Sequence, residues 1–85
     1  MAQQQATQVH CRPLDLRGEV CPYTFVKSKL ALEEMGVGEL LEITVDFRPA
    51  VSNIPKSMEM EGQEVVEVQQ QASGTWRILV RKLRD

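Results

Sequence analysis

The chain has 85 residues with a formal net charge of −2; 42% of its residues are hydrophobic and 26% charged. That is the composition of one ordinary globular domain with a thin core, too near neutrality for a nucleic-acid or anionic-membrane footprint. No apolar run nears the ~18 residues that span a bilayer. The opening MAQQQATQVH lacks the basic start and apolar stretch of a secretory leader, so a cytoplasmic protein with reduced thiols is expected. Its two cysteines, Cys11 and Cys21, are too few for a disulfide framework or a structural zinc site.

Residues 1–10 are polar and glutamine-rich and are expected to form a disordered tail, leaving residues 11–85 as a single domain. In RPLDLRG, Leu14 and Leu16 alternate with Asp15 and Arg17, which predicts a short half-buried strand that opens near Pro13 and closes at Gly18. Pro22 suits a first helical position, and a helix is predicted over Pro22 to Met35. Its apolar side would be Phe25, Leu32 and Met35, widened by Val26 and Leu30, with Gly36 as a left-handed stop. ELLEITVD alternates Leu41, Ile43 and Val45 against Glu42 and Thr44, a strand over Leu40 to Asp46. Val51, Ile54 and Met58 predict a second helix that starts near Ile54, capped by Ser52, Asn53 or Asp46 and stopped by Gly62. EVVEVQQQ and TWRILVRKL read as two strands joined by ASG, a hairpin loop of suitable length. The order is β-α-β-α-β-β: an α/β fold with one sheet and two helices on one of its faces.

The chemistry gathers at GEVCPYT. With Pro22 opening the helix, Cys21 occupies the cap position, where the first-turn amides of Tyr23 and Thr24 would point back at its sulfur. Donors and helix dipole together favour an anion there, and a cysteine so placed has its pKa lowered from about 8.5 into the range ~3.5–7.5. Arg17 and Lys27 would assist that shift and Glu19 would oppose it. A small buried side chain remains the competing reading of any single cysteine. The only histidine, His10, lies in the polar tail, so a cysteine–histidine hydrolase is poorly supported. What remains is a thiol that works without a partner base.

LDLRGEVCP, followed by a helix containing Lys29, Ala31 and Leu32, resembles the TusA-like (SirA-like) sulfur-carrier family. The resemblance runs from Leu14 to Lys82 and takes in Asp46, the Asn53 to Pro55 segment and the closing hairpin. It implies a two-layer α/β sandwich with a four-stranded mixed sheet. It also implies that Cys21 accepts a sulfane sulfur as a persulfide and hands it on, with no metal or organic cofactor. A sulfur-donor protein (rhodanese-like or a cysteine desulfurase) and a downstream acceptor would be the partners of a monomeric carrier. The family motif is Cys-Pro-x-Pro, whereas this chain reads Cys21-Pro22-Tyr23-Thr24. Thr24 therefore keeps a backbone N–H and adds a hydroxyl, an extra donor for the sulfur.

Two other functions stay open on the sequence alone. Residues 75–84 hold four basic side chains and no acid, which suits a non-catalytic regulatory or RNA-binding module on the same fold. Few aromatic side chains and a negative net charge argue against nucleic acid. A thiol–disulfide redox protein would instead pair Cys11 with Cys21, provided that their Cα atoms came within about 7 Å.

Overall fold

The computed structural model describes residues 11–20, 23–71 and 74–84. Its elements are β1 (Cys11–Asp15), α1 (Tyr23–Glu33), β2 (Leu40–Val45), α2 (Ala50–Met60), β3 (Glu64–Gln70) and β4 (Trp76–Arg81). The predicted β-α-β-α-β-β order and mixed four-stranded sheet are what the chain forms. The proposed tail over residues 1–10 lies outside the described residues.

The strands are ordered β1-β2-β4-β3. β1 runs parallel to β2, while β4 is antiparallel to both β2 and β3. Hence β1, β2 and β3 all point the same way. Their C-terminal ends and the N-termini of both helices gather at one end of the sheet, the end at which Gly18, Val20 and Tyr23 stand.

Strand alternation places Leu41 opposite Val80 and Ile43 opposite Ile78. All four are fully buried, together with Leu16, Val45, Ala50, Ile54 and Met58. At about 1.5–3 kcal/mol for each large apolar side chain, this layer between sheet and helices dominates the folding free energy.

The register also explains the other face. Glu42, Arg77, Arg81, Glu64 and Glu67 alternate away from the core and pair across strands: Arg77 with Glu42 at 2.9 Å and Glu67 at 3.7 Å, Arg81 with Glu64 at 3.1 Å. Glu42 is the main cause of a raised Arg77 pKa, which keeps that guanidinium charged.

Both helices depart from their predicted form. α1 buries Thr24, Ser28, Ala31 and Leu32, a stripe of mostly small side chains. Small residues let the helix lie close to the sheet, and the hydroxyl of Ser28 is satisfied by donating to the Thr24 carbonyl at 2.7 Å. Val26 and Leu30, expected in the core, are turned to solvent instead. α2 starts four residues earlier than Ile54. Pro49 is its cap residue, at φ −60°, and neither Ser52, Asn53 nor Asp46 caps it. Burial of Ala50 draws this first turn into the helix, and Pro55 is carried inside.

The end of α1 is also settled away from the helix. Gly38, not Gly36, takes the left-handed conformation, at φ +95°. The carbonyls of Leu32 and Met35 are held by the ammonium of Lys82, each at 2.7 Å. Lys82 is only 3% exposed. A buried cation at a helix C-terminus satisfies orphan carbonyls and opposes the dipole's negative end.

Candidate functional site

The loop between β1 and α1 is pinned at several points. Leu16 extends the sheet by donating its amide to the Thr44 carbonyl at 2.8 Å, and its side chain is buried. Gly18 turns the chain at φ +89°, a conformation open to glycine and strained for other residues. Its N–H donates to the carboxylate of Asp46 at 2.9 Å. Asp46, at the end of β2, thereby holds the loop and not the second helix. Local sequence gives no sign of this bond because its partners lie 28 positions apart.

Cys21 and Pro22 lie outside the described residues; the residues on either side frame them. Val20 and Tyr23 are exposed. The amides of Tyr23 and Thr24, expected to face the sulfur, both donate to the Val20 carbonyl, at 2.8 and 3.3 Å. They close the turn in the usual manner of a helix start, so both amides are engaged with backbone. Thr24 itself is fully buried against the sheet, with Ser28 one turn on.

The two expected supporting cations also have partners. Arg17 grips Asp15 through Nε at 2.9 Å and Nη2 at 2.8 Å, and its backbone N–H donates to the same carboxylate at 3.1 Å. These bonds lower the Asp15 pKa to about 2 and raise that of Arg17. Lys27 donates to Glu19 at 2.7 Å. Arg17 and Lys27 thus sit beside the loop with their charge balanced. Exposed pairs of this kind are weak and exchange readily.

Around the helix start lies an apolar collar: Val20, then Tyr23 (59% exposed), Val26 and Leu30 (54% exposed) along the outer side of α1. Spacings of three and four residues place the last three on one stripe. Periodicity alone assigned Val26 and Leu30 to the core, because it follows apolar residues and overlooks a side of small residues that includes Thr24 and Ser28.

The match to known proteins follows the same frame. A sequence model described as Sulfurtransferase TusA matches residues 12–82. The chain belongs to the TusA family. Among TusA relatives, a protein of Archaeoglobus fulgidus, named as a candidate sulfur carrier, is 51% identical over 69 residues, covering 81% of this chain and 78% of its own. A Thermotoga maritima protein named in the same way is 37% identical over 81 residues, covering 95% and 98%. The crystal structure of a SirA-like protein from Desulfitobacterium hafniense superposes with a TM-score of 0.76 at 26% identity, covering 85% of this chain and 97% of that one. This TusA chain therefore anchors the loop after β1 through Asp46 and carries an exposed apolar stripe along the outer side of α1.

Proposed function

We propose that the chain is a sulfur carrier in which Cys21 accepts a sulfane sulfur as a persulfide and passes it to a protein or thiol acceptor. The observation that carries this reading is family membership over residues 12–82, with Cys21 immediately ahead of α1. In the first step the Cys21 thiolate attacks the outer sulfur of a donor. A new S–S bond forms at Cys21, and the donor's own S–S bond breaks to release a thiolate or, from a thiosulfate-type donor, sulfite. In the second step an acceptor thiolate attacks the outer sulfur of Cys21–S–S⁻, and Cys21 leaves as a thiolate. Both anionic states of Cys21 are favoured by the positive end of α1. Cys21 is the reacting group. Pro22, Tyr23 and Thr24 form the helix start that supports it, and Arg17 and Lys27 reinforce it when released from Asp15 and Glu19. No cofactor or metal enters either step.

Protein partners fit the surroundings. Any protein that reaches Cys21 also covers Val20 and Tyr23, and the stripe through Val26 and Leu30 offers it apolar contact area. A cytoplasmic site of action suits a thiol that must stay reduced. Neither rival reading gains a supporting observation. The arginines of β4 that suggested RNA are paired with Glu42, Glu64 and Glu67. Cys11 opens β1, which puts it about 13 Å along the strand from Asp15, away from the end where Gly18, Val20 and Tyr23 stand.

The test is intact mass after incubating reduced protein with polysulfide, thiosulfate or a persulfidated donor protein. A gain of about 32 Da per sulfur atom, present in Cys11→Ser, absent in Cys21→Ser and reversed by an acceptor thiol, is the expected result. Uptake that persists in Cys21→Ser would remove the proposed role.

A further inference from the structure

Arg48, Val51, Ser52, Gln70 and Trp76 line an open cleft of about 290 Å³ between the start of α2 and the end of the β3–β4 ladder. It lies at the same end of the sheet as Gly18, Val20 and Tyr23. The sheet order puts it at least two strand spacings, about 10 Å, to the side of β1.

Every polar side chain in the lining brings a donor: a guanidinium, a hydroxyl, a carboxamide and an indole N–H. No carboxylate lines it, although the chain has 12 acidic residues against 10 basic ones. Arg12, Arg17, Arg77 and Arg81 each hold a carboxylate. Arg48 holds none among the described residues, as is also true of Arg84 away from the cleft, and the polar side-chain atoms of Gln70 and Trp76 are likewise without a partner there. Ser52 makes only a long contact, 3.5 Å, to the Pro49 carbonyl. A wall of donors around an unpaired guanidinium matches a ligand that offers acceptors on all sides.

We propose that this cleft binds a small tetrahedral oxyanion of the sulfate, phosphate or thiosulfate type. Arg48 supplies the charge and a two-pronged contact, Ser52 and Gln70 add neutral donors, and Trp76 forms the wall. The positive end of α2, which has no side-chain cap, strengthens the same field. This site is independent of the sulfur-carrier reading, since none of its residues takes part in the chemistry of Cys21.

Trp76 is the only tryptophan of the chain and lines the cleft, so its fluorescence responds to a ligand bound there. The full chain is titrated with sodium sulfate, phosphate or thiosulfate while sodium chloride holds the ionic strength constant. The expected result is a saturable change for at least one oxyanion, with matching amide shifts at Ser52 and Gln70 in nitrogen–proton spectra. Arg48→Gln should weaken binding by about tenfold or more, Ser52→Ala should weaken it less, and Lys56→Gln, outside the lining, should leave it unchanged. Separate curves for the three salts show which oxyanion the site prefers. The proposal is overturned if neither fluorescence nor amide shifts saturate, if chloride reproduces the change, or if folded Arg48→Gln binds as the natural chain does.

Discussion

The carboxylate of Asp46 accepts the amide of Gly18 at 2.9 Å and so ties the end of β2 to the loop that leads to Cys21. Gly18 supplies the turn and Asp46 holds it in place. Asp46→Ala is expected to leave the sheet intact and cost about 1 kcal/mol of stability. Hydrogen exchange at the Gly18 amide should accelerate far more than exchange in β2 or β4. Slower persulfide formation at Cys21 in the same variant would show that loop order matters to the chemistry; an unchanged rate would confine Asp46 to folding.

Lys82 acts at the other end of the same helix. Lys82→Met keeps the buried stem but leaves the carbonyls of Leu32 and Met35 without their donor. The expected loss is about 1–3 kcal/mol, read as a lower urea midpoint with no change in slope. A variant as stable as the natural chain would mean that water replaces the ammonium at little cost.

Leu30 tests the apolar collar. Its side chain is exposed, so Leu30→Glu should alter stability by no more than about 0.5 kcal/mol. Loading of Cys21 from inorganic polysulfide should be unaffected, while transfer from a persulfidated donor protein should slow severalfold. Equal slowing of both reactions would point to a disturbed Cys21 site and away from partner docking.

Glu19 holds Lys27 at 2.7 Å. Removing its charge in Glu19→Gln frees Lys27 and takes a negative charge out of the segment that leads to Cys21. Alkylation of Cys21 by iodoacetamide near pH 7 should become faster, and in Lys27→Ala slower. Identical rates in both variants would rule out any influence of this pair on the thiol.

The Asp15–Arg17 pair sets an acid limb. Hydrogen bonds from Arg17 lower the Asp15 pKa from 3.8 to about 2, so the native state favours the charged carboxylate. That contribution is complete above pH ~4 and disappears as the pH falls through ~2. Both side chains are exposed, which keeps its size small. Asp15→Asn should therefore flatten the decline of the urea midpoint between pH 4 and 2, and leave the midpoint at pH 7 slightly lower.

Strict alternation in β2 and β4 determined, without further information, which face of the sheet would be buried, since strand side chains alternate with a period of two. The same alternation, carried past Ile78 and Val80, points Lys82 inward; the charge of that residue masks the signal. The turn at Gly18 and the family frame around LDLRG were equally legible, because turn chemistry depends on neighbours in the chain, while the Cys21-Pro22 helix start lies outside the described residues. Tertiary structure alone decided the rest. Two stripes compete on α1, and close approach to the sheet selects the one with small residues, Thr24, Ser28 and Ala31, over the more apolar one, which exposes Tyr23, Val26 and Leu30. The Asp46–Gly18 bond and the grip of Lys82 on α1 join residues 28 and about 50 positions apart, contacts that exist only once the strands have paired. The cleft around Arg48 and Trp76 depends likewise on the sheet order, which brings the start of α2 against the far ends of β3 and β4.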